Sequence, residues 1–121
     1  MFAKLALPAI LASAFLATAA LADFKQVKSE DALRATLVGK KAYDKHGNWF
    51  RWNADGSMSG KLKSGKSFAG AWKWSGKYLC RNVAVGGEEL GTDCQKIEVD
   101  GNQVRYTRKK GKGESAVLTI K

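Results

Sequence analysis

Between Arg105 and Lys112, five of eight residues are basic: Arg105, Arg108, Lys109, Lys110 and Lys112. Guanidinium and ammonium groups at that density attract phosphates and carboxylates, and Lys61, Lys63 and Lys66 complete the candidate binding set. The partner chemistry they predict is an anionic glycan, a lipid head group or another polyanion. The same charges would also keep an edge strand from aggregating. A second group, Trp49, Arg51, Trp52, Lys73, Tyr78 and Arg81, interleaves rings with cations, although most of the rings are needed in a core.

Catalytic chemistry is less well supplied. His46 is the single histidine. As a general base it needs an orienting carboxylate, for which Asp44 is placed, and a nucleophile. Gly111-Lys-Gly-Glu-Ser115 does not match the nucleophile motif G-x-S-x-G, so His46 reads as a turn residue. The segment Gly60-Lys-Leu-Lys-Ser-Gly65-Lys66-Ser67 satisfies the phosphate-loop pattern G-x-x-x-x-G-K-[ST], but such a loop must open a helix whose N-terminus receives the phosphates. Here an aromatic strand follows; the segment reads as a hairpin turn, and no nucleotide is expected. Glu88 and Glu89 diverge if they lie on a strand, and with Asp93 they offer only a weak cation site in a loop. No catalytic residue, metal site or cofactor is assigned, and the chain reads as a binding protein rather than an enzyme.

Cys80 and Cys94 are the only cysteines. Their spacing is neither C-x-x-C nor a zinc pattern, and an oxidising compartment is available to an exported chain, so they are expected to form a structural disulfide. Export is read from residues 1–22 as a signal peptide: Lys4 in front, an apolar run from Leu5 to Thr18, and Ala20-Leu-Ala22 as a small-x-small cleavage site. Cleavage leaves one periplasmic or secreted domain, residues 23–121, with 20 basic against 11 acidic residues, formally +9. That charge favours solubility and polyanion contact without specifying a fold.

Short strands must position these groups. Phe68, Gly70, Trp72 and Trp74 fall on one face of an extended segment, with Ala69, Ala71 and Lys73 on the other. Three large rings bury on the order of 150–250 Å² each, which at roughly 25 cal/mol per Å² is several kcal/mol from one strand. Gly70 either clears room for two rings or coils the strand. Strands are expected near 40–45, 48–54, 57–63, 67–75, 77–83, 94–100, 103–109 and 115–121, with Val85 to Asp93 as the longest loop. Ahead of them Ser29 caps a short helix, Glu30 and Asp31 meet its dipole, Gly39 stops it, and Leu33 and Leu37 share one face. The fold class is all-β: about eight short antiparallel strands in an up-and-down barrel or a tight sandwich, with one short N-terminal helix and one disulfide. The inward face would hold Phe50, Trp52, Met58, Leu62, Phe68, Trp72, Trp74, Ile97, Val99, Val104, Tyr106, Leu118 and Ile120, enough for one core.

The signal peptide, the Gly70-x-Trp72 strand, Tyr78-x-Cys80 and Cys94 together resemble small exported proteobacterial domains of unknown function, a likeness that implies no established activity. The architecture is similar to the small barrels of the lipocalin-like and periplasmic lysozyme-inhibitor groups. In lipocalins the Gly-x-Trp motif opens the first strand, whereas here it lies mid-domain. The expected function is an exported, non-enzymatic binding module engaging an anionic envelope component through its basic residues. The alternative is a carrier with a small apolar ligand beside Trp52, Trp72 and Trp74, against which the bulky inward residues predict a filled interior. A small hydrolase or an enzyme inhibitor is less supported, since a basic lysozyme would repel a chain of this charge.

Overall fold

Side chains alternate across a strand, and that alternation sorts almost every residue after Lys40 into wall or core. The computed structural model describes residues 22–121, so the expected signal peptide lies, but for Ala22, outside the described residues. The described elements are β1 (Lys25–Gln26), α1 (Glu30–Thr36), β2 (Lys41–Tyr43), β3 (Trp49–Trp52), β4 (Ser57–Lys61), β5 (Ser67–Ser75), β6 (Tyr78–Val85), β7 (Glu88–Asp100), β8 (Gln103–Thr107), the single turn α2 (Arg108–Gly111) and β9 (Ser115–Ile120). From β2 to β9 each strand pairs antiparallel with the next, and β9 returns to β2 through Ala42↔Ile120 and Tyr43↔Thr119. Eight strands therefore close an up-and-down barrel, which decides between the two expected architectures. β1 lies along β7 through Lys25↔Val99 and Gln26↔Glu98, just past the stretch of β7 that pairs with β6.

The helix closes one end. Ser29 Oγ accepts a hydrogen bond from the Ala32 N–H at 3.2 Å, and Leu33 and Leu37 are fully buried. Gly39 N–H donates to Trp52 O at 2.7 Å. Arg34 donates to Ala54 O at 3.0 Å, with its guanidinium 5.1 Å from the Trp72 ring centre. These contacts seat α1 at the end that carries the β3–β4 turn. Behind it Trp52, Trp72, Leu79, Ile97, Val104 and Leu118 fill the barrel, and the Trp72 indole N–H is satisfied by Asn53 O at 2.9 Å. All the expected inward residues join this core or pack against it except Leu62, which stands on the wall of a cavity.

Two segments depart from expectation. The supposed loop from Val85 to Asp93 is the far half of a hairpin: Gly86 and Gly87, at φ 58° and 87°, make a two-residue turn, and β7 begins at Glu88. Such a turn needs positive φ at both positions, which two glycines supply. A register shift, Val83↔Gly91 followed by Ala84↔Glu89, breaks the alternation by which that strand would have been read. β8 ends at Thr107, two residues early, because Lys109 and Lys110 both adopt left-handed backbone at φ 54° and 56°.

Gly70 has a packing reason as well. A Cβ there would overlap Asn82 O and the Val83 backbone and side chain, so its bare backbone lets β5 coil tightly against β6. Gly70→Ala is expected to cost on the order of 1–3 kcal/mol through that overlap. A lowered urea midpoint at unchanged slope would register it, and an unshifted midpoint would refute the close approach.

Candidate functional site

The end of the barrel away from α1 is not filled. Phe50, Leu62, Phe68, Val85 and Leu90 wall a cavity of about 270 Å³, with Trp52, Met58 and Leu118 among its lining. Phe50 and Phe68 pair across the side-chain-free Gly60 between them, and their rings meet edge to face with centroids 4.6 Å apart. Leu90 on β7 is half exposed at the rim. The volume lies just below the usual range for small-molecule pockets, roughly 300–1,000 Å³. It suits a small body, or the end of a longer one.

One side of this cup is polar. Arg81 and Asp93 are direct cross-strand partners on β6 and β7, both turned inward, and only 8% and 9% exposed. Asp93 is fully engaged: Oδ2 accepts from Gln95 Nε2 at 3.0 Å and Arg108 Nε at 3.3 Å, and Oδ1 accepts from the Lys109 N–H at 3.0 Å. Burial raises its carboxyl, but these three donors and the Arg81 charge more than offset that and hold it below the usual carboxylate range. Arg81 makes one hydrogen bond among the described residues, from NH1 to Gly91 O at 2.8 Å. Burial pulls its guanidinium below the usual value, with Asp93 opposing. Arg81, Gln95, Tyr106 and Arg108 all line the cup. Burial raises the Tyr106 hydroxyl above its usual value. The Trp52 indole N–H, on a lining residue only 3% exposed, has no partner among the described residues.

Beside the cup, β2 pairs with β9 at only two positions. A cleft of about 660 Å³ runs there between the β2–β3 turn and β9, with Tyr43, His46, Val117 and Lys121 on its outer side. It shares Phe50 and Tyr106 with the cup.

The basic residues singled out from the sequence fall in three places. Lys61, Lys63 and Lys66 are exposed at the β4–β5 hairpin, where the Lys63 N–H donates to Asn48 Oδ1 at 2.8 Å. Lys109, Lys110 and Lys112 are exposed around α2 on the opposite side of the barrel, with Lys110 Nζ 5.7 Å from the Tyr78 ring centre. Arg108 turns from α2 towards Asp93 and the cup. Arg105 stands on the outer wall of β8, in a two-pronged pair with Glu98 at 3.0 Å on each oxygen and 4.3 Å from the Phe24 ring centre. Those hydrogen bonds hold the Glu98 carboxyl below its usual value. The aromatic–basic group divides likewise: Trp52 and Arg81 face in, while Trp49 faces out beneath Lys41 Nζ at 4.4 Å and Arg51 at 5.4 Å.

The Gly60–Ser67 segment is the β4–β5 hairpin, closed by Leu62 N–H to Lys66 O at 2.9 Å, and it runs into a strand. Asp44 accepts from the backbone N–H groups of His46 and Asn48 and from Asn48 Nδ2, at 2.7–3.0 Å, and so organises its own turn. Glu88 and Glu89 are exposed whereas Asp93 is turned inward, so the three carboxylates do not converge. Among the described residues no group of three His, Cys, Asp or Glu side chains is arranged to hold a metal. Cys80 and Cys94 are bonded, directly opposite each other on β6 and β7. That bridge carried an unread signal: Cys80 opposite Cys94 in an antiparallel pair sets Arg81 opposite Asp93.

No family model, no curated protein and no solved structure matches the chain.

Proposed function

We propose that the protein is an exported, non-enzymatic binding module that receives a small ligand in the open end of its barrel. The observation that carries this reading is the one-ended cavity: α1 and the large rings fill one half of the barrel, and the other half is an apolar cup with polar groups on one side. Concave, mostly apolar sites with a few convergent polar groups are what small-molecule binding requires. A polyanion surface would need its cations on one face, and their division between the β4–β5 hairpin, α2 and the Arg105–Glu98 pair favours the cup over that reading. The leader-like residues 1–22 and the disulfide support export.

The test is titration with 1-aminoanthracene, an uncharged aromatic probe whose fluorescence rises in apolar surroundings. One saturable site per chain is expected, weakened about tenfold or more by Leu90→Glu, which puts a charge at the rim where folding does not depend on it. Absence of saturable binding, or binding indifferent to Leu90→Glu, would reject the cup as the site.

A further inference from the structure

Resting on the reading of the cup as a ligand site, we infer that it selects an amphiphile with a carboxylate head, seated on Arg81 and Arg108, and a short apolar body lying against the wall formed by Phe50 and Phe68. The charge inventory points this way. Two guanidinium groups line the cavity and no carboxylate does. Asp93, the anion beside them, stands behind the wall with its oxygens already taken by Gln95, Arg108 and the Lys109 N–H. The polar wall therefore carries one positive charge more than it neutralises.

Arg81 is the group on that wall with donors to spare. Its guanidinium has five N–H donors, of which the described residues engage one, through Gly91 O. It is nonetheless nine-tenths buried against an apolar space. A guanidinium in that state has already lost most of its water when the chain folds, so an arriving anion bears only its own desolvation. A carboxylate fits the fork of Arg with two parallel hydrogen bonds. Gln95 and Tyr106 line the same cavity, so the wall is polar beyond its two guanidinium groups. A cation or an acceptor-poor head would leave the spare guanidinium donors as they stand. One net charge matches a monoanion.

Isothermal titration calorimetry at pH 7.5, below micelle-forming concentrations, separates the inference from the reading beneath it. The probes are decanoate, decan-1-ol and decyltrimethylammonium, which share one apolar chain and differ in the head. Decanoate is expected to bind about tenfold or more tightly than decan-1-ol, and the ammonium compound more weakly than either. Arg81→Met should bring decanoate and decan-1-ol to within about threefold by weakening decanoate alone. Should Arg81→Met fail to fold, Arg108→Gln is the second variant, at a side chain 43% exposed, and should lower the decanoate preference about threefold. Equal binding of decanoate and decan-1-ol by the unaltered protein overturns the inference while leaving the cup standing, as does a preference that survives the variants. If none of the three probes binds, the cup reading itself fails.

Discussion

Asp93→Ala is expected to destabilise the protein by about 2 kcal/mol or more, the cost of taking the anion out of a partly buried charge cluster whose donors are left without an acceptor. The substitution strands Arg81 and Arg108 beside each other, and it withdraws the acceptor of the Lys109 N–H. That last contact holds a costly turn. Lys109 and Lys110 both sit in left-handed backbone, at roughly 1–2 kcal/mol each for residues with a Cβ. Without Asp93 the turn is held by Arg108 N–H to Glu114 O, Gly113 N–H to Arg108 O and Lys112 N–H to Lys109 O, all within the β8–β9 connection. Urea unfolding at pH 7 should show the loss, and Asp93→Asn, which keeps an acceptor but not the charge, should lose less.

The pH dependence gives the same residue a second signature. The Asp93 carboxyl is held below its usual value in the folded protein. Its contribution is therefore complete above the ordinary carboxylate value near ~4 and is lost as pH falls through the lower folded value. Glu98 and Asp44 are shifted the same way and act in the same window. Stability of the unaltered protein should thus fall on acidification below about pH 5, and Asp93→Ala should flatten part of that fall. If the variant and the unaltered protein lose stability in parallel, Asp93 is not held by the cluster.

What the sequence made legible was the wall. Period two assigned Phe68, Trp72 and Trp74 to the core, Ser29 and the Leu33/Leu37 pair marked the helix, and the two cysteines pointed to their bond. What it obscured was the cup, for two physical reasons. Gly86 and Gly87 and the register shift after Val83 hid six residues of β7 inside an apparent loop, and with them the inward face of Asp93. Charge density, meanwhile, is blind to pairing: Arg105 and Arg108 stand in one run of cations, yet one clasps Glu98 on the outside and the other reaches Asp93 beside the cavity. The expectation of a filled interior followed from counting inward side chains. It holds for the half beneath α1, where Trp72 and Leu79 lie, and not for the half walled by Phe50, Leu62, Phe68 and Leu90.

Removing the disulfide is the other large perturbation, and it acts on the cup through the strand that bears Leu90. The bond closes a segment with a sequence separation of 14, for which the chain-entropy model gives about 3 kcal/mol. Its position makes the effect uneven. β7 is paired with β6 from Glu88 to Gln95, but its other edge meets β8 only from Lys96 to Asp100. The upper half of β7 is therefore held by β6, by the bridge to Cys80, and by the donors that α2 brings to Asp93. Cys80→Ser with Cys94→Ser should lower the unfolding free energy by about 3 kcal/mol, and amide exchange should quicken most from Glu88 to Thr92, where one edge is free. The same strand carries Leu90 at the rim and the Gly91 carbonyl that accepts from Arg81. Loosening it should weaken probe binding as well as stability, even under conditions where the rest of the barrel remains folded. If exchange quickens uniformly, the bridge acts on the unfolded chain alone; if it quickens at β7 with binding unchanged, the cup does not depend on this strand.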